Sequence, residues 1–148
     1  MRILISLALF TVLAVIGLAT AYANTEETAG KVSANKQTVQ RYMDEFGKLN
    51  HAGVLACLAD DVVWDIPGAF NVTGKAAFDK QIQNDAFVGK PTITVTRMTE
   101  ENGVVVAEGK VQCARKGGGM LDAVFCDVFE MKDAKIKKLT SYLTELKK

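Results

Sequence analysis

From Thr92 onward the chain alternates between apolar and polar residues, interrupted only by short turn sequences. Period two puts successive side chains on opposite faces of a strand. Thr92–Met98 alternates strictly, and Val104–Arg115 forms a longer run. Gly117-Gly118-Gly119 turns the chain, Met120–Met131 returns, Asp133-Ala134 turns again and Lys135–Leu146 closes. Short connections join antiparallel neighbours. This half therefore predicts four long antiparallel strands. The preceding segment has helical spacing. Val39, Tyr42, Met43, Phe46 and Leu49 give Lys36–Leu49 one apolar face. A second short helix is expected over Ala52–Ala59, ended by Asp60-Asp61. Val62-Val63-Trp64 reads as a short strand stopped by Pro67-Gly68, and a third helix runs from Lys75 to Ala86 with Thr73 as N-cap. Helices followed by strands indicate an α+β fold, with the helices on one face of a curved sheet. The region 36–148 contains no repeat, linker or second domain.

The N-terminus reads differently. A positive start, Met1-Arg2, precedes an apolar run from Ile3 to Ala19, and Ala21-Tyr22-Ala23 offers a small-x-small cleavage pattern. Residues 1–23 are expected to be a signal peptide and 24–35 a flexible polar leader. The protein is then exported, either periplasmic or secreted. The alternative is an uncleaved anchor, for which a run of about 17 residues is at the lower limit. The 125 residues from Asn24 onward include 54 hydrophobic ones, enough for a core. They carry 17 basic and 17 acidic residues and no net charge. Such a chain is a poor ligand for nucleic acid or an anionic membrane.

Export makes the three cysteines matter. Cys57 falls in a helical stretch. With the turn centred on Gly117-Gly118, Cys113 should face Asp122 and Cys126 should face Gly109. The two would share a face four residues apart along the strands. At about 3.3 Å per residue this is too far for a disulfide. Three free, buried thiols are expected.

Several chemistries are excluded by what is missing. Gly68 to Gly74-Lys75 has the wrong spacing for a phosphate loop and is followed by Ala76. The single histidine, His51, sits beside a helix break and reads as structural. One histidine without clustered cysteines argues against zinc, and no Ser-His-Asp set suggests itself. No metal or cofactor is expected.

One residue breaks its pattern. Along Met120–Met131, one face reads Leu121, Ala123, Phe125, Asp127, Phe129, Met131. Asp127 is the only charge in that row. Desolvation disfavours the carboxylate and raises its pKa, and a neutral acid can donate a hydrogen bond or a proton. The competing readings are an ion pair with the diagonal Lys110, Glu108 being directly opposite, or a β-bulge that turns Asp127 outward. Trp64 either lines a pocket or fills the core, and Asp65 either joins it or caps the turn. Tyr42 lies on the inward side of the first helix, where its hydroxyl needs a partner.

The element order, with Leu58-Ala59-Asp60-Asp61-Val62-Val63-Trp64-Asp65-Ile66-Pro67-Gly68 and the closing Cys126-Asp127-Val128-Phe129-Glu130-Met131-Lys132-Asp133-Ala134-Lys135-Ile136, resembles the nuclear transport factor 2-like superfamily. Within it the chain is most similar to the SnoaL-like group, relatives of polyketide cyclases and ketosteroid isomerase. The resemblance spans residues 36–146. It implies a cone-shaped curved antiparallel sheet with three N-terminal helices enclosing an apolar pocket, and a homodimer formed through the sheet. Asp127 falls where SnoaL-type cyclases keep an acid/base Asp and where ketosteroid isomerase keeps a protonated Asp. The isomerase's general base falls at Ile66, and its helix-one tyrosine falls nearest Met43, one residue from Tyr42. Ketosteroid isomerase activity is therefore not expected. The histidines that scytalone-dehydratase-like chemistry needs are missing.

Three functions follow as expectations. The first is binding of a small apolar molecule by Trp64, Asp65, Phe78, Phe125, Phe129, Leu139 and Leu143. The second is an isomerase, cyclase or hydratase using Asp127, with Tyr42 or water assisting. The third is a sheet-mediated interaction or dimerisation module.

Overall fold

The computed structural model describes residues 32–147. The expected signal peptide, and the leader up to Lys31, lie outside the described residues. Helix α1 (Ala34–Gly47) begins two residues before the expected start, because Ser33 caps it by accepting from the Lys36 N–H at 3.1 Å. Helix α2 (His51–Ala56) is capped by Asn50, which accepts from the Gly53 N–H. Between them the chain reverses through Leu49, whose φ is +55°. The Asn50 and Leu49 amides donate to the Glu45 and Phe46 carbonyls. This places a leucine where a helix end commonly has glycine.

Four further elements depart from the expectations. Strand β1 covers Leu58–Ile66, so Asp60-Asp61 lies inside a strand rather than ending a helix. Both aspartates are held at the surface by cations, Asp60 by Lys75 and Asp61 by Lys137. A second short strand, β2 (Phe70–Thr73), pairs antiparallel with β1. Thr73 therefore ends a strand, and helix α3 (Lys75–Ile82) starts from Gly74 with no side-chain cap. Strand β3 (Phe87–Glu101) is more than twice as long as Thr92–Met98. Strands β4 (Val104–Arg115), β5 (Met120–Lys132) and β6 (Lys135–Glu145) lie close to where the alternation puts them.

The sheet has six strands in the order β2-β1-β6-β5-β4-β3. It is mixed, not purely antiparallel, because β1 runs parallel to β6. Asn102-Gly103 and Asp133-Ala134, both residues left-handed in each, make the two tight hairpins. Helices α1 and α3 pack on one face of the sheet, where Val39, Tyr42, Val54, Phe78, Phe129 and Leu139 form the core. Gly109 is required there. A Cβ at this position would run into the Thr94 carbonyl and meet the Phe125 ring at 2.6 Å. The bare backbone lets the Phe125 ring lie across it.

The β4–β5 register differs from the expected one by a single residue. Cys113 lies opposite Leu121, Cys126 opposite Glu108, and Asp127 opposite Ala107. One step exchanges the faces. The cysteines are thus on opposite sides of the sheet, which separates them more completely than the distance argument did. All three thiols are free, but Cys126 is only half-buried. The same step moves Glu108 and Lys110 to the face away from Asp127, so neither can pair with it.

Candidate functional site

Asp127 sits mid-strand in β5 between Ala107 of β4 and Ser141 of β6. It is 9% exposed. No bulge falls at this position, since the β5 register with both neighbours runs unbroken through it. Its side chain enters a chamber of about 110 Å³ walled by Tyr42, Met43, Phe46, Trp64, Ile66 and Phe125, among others. The chamber shares Phe46, Trp64, Ile66, Val111 and Leu143 with a wider vestibule of about 250 Å³ that reaches toward the α3–β3 connection. Together they fall near the lower end of small-molecule sites, which run about 300–1,000 Å³.

Burial pushes the Asp127 carboxyl up to about 7, and the Ser141 hydroxyl pulls the other way. The direction of the Ser141 contact follows from donor counting. The Trp64 indole N–H can only donate, and it donates to Ser141 Oγ at 3.1 Å. The single Ser141 hydrogen is thereby free to point at the Asp127 carboxyl. The other carboxyl oxygen, Oδ1, is buried without a hydrogen-bond partner, the only such side-chain atom among the described residues. A carboxyl held from one side with its second oxygen unpaired is a place for a ligand or substrate group. Replacing Ser141 with Ala should therefore raise the Asp127 pKa above 7, measured by carboxyl NMR. Leaving the Trp64 N–H unpaired should cost about 1–3 kcal/mol of stability by urea unfolding.

Tyr42 reaches the same chamber from α1. Burial, then the charge of Asp127, then Cys57 raise its phenol well above 10.0, so it remains a neutral donor and acceptor. Edge-on aromatic contacts hold it, with ring centroids 5.6 Å from Phe129 and 6.3 Å from Phe78. Trp64 stacks on Phe78 at 4.6 Å and meets Phe70 and Phe46 edge-on at 5.1 and 5.9 Å. These contacts fix both polar tips relative to Asp127.

Of the residues singled out in the sequence, Asp127, Tyr42, Trp64, Phe125 and Leu143 line the chamber. Phe78, Phe129 and Leu139 do not. They are fully buried behind it, as core that supports its walls. Asp65 lies between Asn71 and Thr140 in the sheet and belongs to neither wall. Ile66, at the position of the isomerase's base, does line the chamber, and it has no proton to move. His51 pairs with Asp79 at 2.6 Å, away from the cavity. Among the described residues no cluster of His, Cys, Asp or Glu is arranged to hold a metal. Sequence reasoning missed Ser141, although it interrupts the apolar inward row of β6 as Asp127 interrupts that of β5. It also missed the carboxamides Gln81, Gln83 and Asn84 on the vestibule, for which the sequence carries no signal.

Comparison with known proteins bears on the family. No curated protein matches significantly. Among solved structures, a nuclear transport factor 2-like protein of unknown function from Burkholderia pseudomallei superposes with a TM-score of 0.71 at 20% identity, covering 76% of this chain and 92% of that one. TerC, crystallised with polyporic acid, gives 0.70 at 17% identity, covering 76% and 92%. An LEH-like epoxide hydrolase from M. tuberculosis gives 0.67 at 17% identity, covering 75% and 83%. At these identities the likeness establishes the nuclear transport factor 2-like fold. The family model for the SnoaL-like domain matches residues 39–139, from the middle of α1 to the middle of β6. With two-thirds of its length matched and the fold in agreement, the chain belongs to the SnoaL-like domain family.

Proposed function

We propose that this domain binds a small, largely apolar molecule whose one polar group rests on Asp127. The observation that carries the reading is an acid, Asp127, that lines an aromatic-walled cavity and has a buried, unpaired Oδ1. Binding surrounds the ligand with apolar surface and supplies the partner that Oδ1 lacks. A second reading, supported by the carboxyl's value of about 7, makes Asp127 a general acid/base in an isomerase- or cyclase-type reaction. Asp127→Asn separates the two. If the domain is an enzyme, turnover of any substrate found by screening should fall by roughly 10²–10⁴-fold. Unchanged turnover ends the reading of Asp127 as the acid/base. If no apolar fragment raises the melting temperature of the wild-type protein, the binding reading itself fails.

Two further expectations join this proposal. The outer sheet face, with Val106, Val124, Val128 and the exposed Tyr142, supports dimerisation through the sheet. Light scattering that finds a strict monomer removes it. The composition of residues 1–23 supports export. A mature N-terminus at Asn24, read by mass spectrometry of the protein recovered outside the cytoplasm, is the expected result.

A further inference from the structure

We propose that the polar group selected by this cavity is a protonated tertiary amine, because Asp127, an acid with one unpaired carboxyl oxygen, lines a chamber walled by four aromatic side chains and lined by no cation. The proposal rests on the binding function above and names its ligand class.

The charges come first. Asp127 is the only carboxyl group on the chamber, and neither chamber nor vestibule is lined by a Lys, Arg or His. The groups facing Asp127 are Tyr42 from α1, Ala107 from β4 and Ser141 from β6, with no positive charge among them. The nearby Cys57 and Cys126 thiols are both shifted upward by burial and stay neutral. An anionic ligand would bring a second negative charge to Asp127 with nothing to balance it. A cation would instead provide the counter-charge that the fold lacks.

Donor counting narrows the cation. Oδ1 needs one donor. A protonated tertiary amine has one N–H, and its three carbon substituents suit the faces of Tyr42, Phe46, Trp64 and Phe125. Aromatic rings attract alkylammonium groups through their negative faces. A primary ammonium brings three N–H groups to a largely aromatic wall and leaves donors unpaired. A quaternary ammonium has no N–H for Oδ1. The chamber, about 110 Å³, holds a few groups of water size at about 30 Å³ each, which suits a nitrogen with two methyl groups. An apolar tail then extends past Leu143 into the vestibule.

The test uses N,N-dimethylhexylamine and its neutral counterpart, dimethylhexylcarbinol, in which a C–OH carbon replaces the nitrogen. Each is titrated calorimetrically into the whole protein at about pH 5.5 and about pH 8.5. Only the ionised fraction of Asp127 attracts the cation, so amine affinity should rise roughly thirtyfold between the two conditions. The carbinol should bind no more tightly at the higher pH, and there the amine should bind at least tenfold tighter. Asp127→Asn should abolish the amine's advantage and its pH dependence. If the carbinol binds as well as or better than the amine at the higher pH, the ammonium proposal is overturned while the small-molecule function stands. If neither binds, the ammonium proposal is overturned, and the small-molecule function falls only if the fragment screen is also blank. Hexylamine binding more tightly than the tertiary amine also overturns the proposal, since the donor count would be wrong.

Discussion

Between about pH 4 and pH 7 the folded protein should lose stability, and Asp127→Asn should remove that loss. The folded-state pKa of Asp127 lies above its unfolded value, so the folded state holds a proton that the unfolded chain releases. The stabilisation is complete below the unfolded value of about 3.9 and disappears as pH rises through about 7. A rise from 3.8 to about 7 corresponds to on the order of 4 kcal/mol. Asn keeps the shape and stays neutral, so the variant should match the wild type near pH 4 and exceed its stability by a few kcal/mol at pH 8. Surface carboxylates act in the opposite sense. Glu45, Asp60, Asp61 and Glu100 are held low by hydrogen bonds and cations, and their contribution is lost as pH falls. Both proteins share them, so the difference between two series of urea unfolding curves isolates Asp127. Identical pH profiles for variant and wild type would show that the carboxyl is hydrated.

The second large effect is structural. Phe78→Ala should cost about 3–5 kcal/mol, a large share of the ~5–15 kcal/mol that holds a domain of this size. Phe78 is 0% exposed, and its ring stacks on Trp64 and meets Tyr42 edge-on. Removing it withdraws support from two chamber walls at once. Leu143 provides the contrast. It is 48% exposed at the rim shared by chamber and vestibule. Leu143→Ala should change stability by less than about 1 kcal/mol and act instead on ligand affinity. Denaturant unfolding of both variants checks the assignment of Phe78 to the core and Leu143 to the site. Similar losses for the two would contradict it.

Legibility in the sequence followed periodicity. The inward row of β5 could be read residue by residue because strand alternation is strict, and the structure buries Ala123, Phe125, Asp127 and Phe129 on one face. Where a bulge or a charge interrupts the alternation, the reading failed. The register of β1 against β6 shifts between Leu58 and Val63, and Asp60-Asp61 falls in that irregular stretch. The aspartates therefore looked like a helix end although they lie at the exposed surface of a strand. The one-residue register error arose at the glycine turn. Gly118 and Gly119 both take φ > 0, and three consecutive glycines do not say which pair is central. The parallel β1–β6 contact was invisible because it joins segments about 75 residues apart with no turn to announce it.

Within the candidate site, residue type alone did not separate wall from core. Phe125 and Phe129 are four residues apart on one face of β5, on either side of Asp127. The first meets the chamber because it lies across Gly109, and the second is covered by α1 through Tyr42. That distinction depends on which helix crosses above each residue, and no local pattern encodes it. The same holds for the carboxamides of the vestibule, which are ordinary surface residues until α3 brings them to the rim.

The central claim is that Asp127 is a desolvated acid at the floor of a ligand cavity. Its most direct test is a carboxyl NMR titration of protein labelled at the aspartate side chains, with Asp127→Asn to assign the resonance. The account predicts an inflection near pH 7 for Asp127. An inflection near the ordinary aspartate value of about 3.9 would mean a hydrated or ion-paired carboxylate and would contradict it.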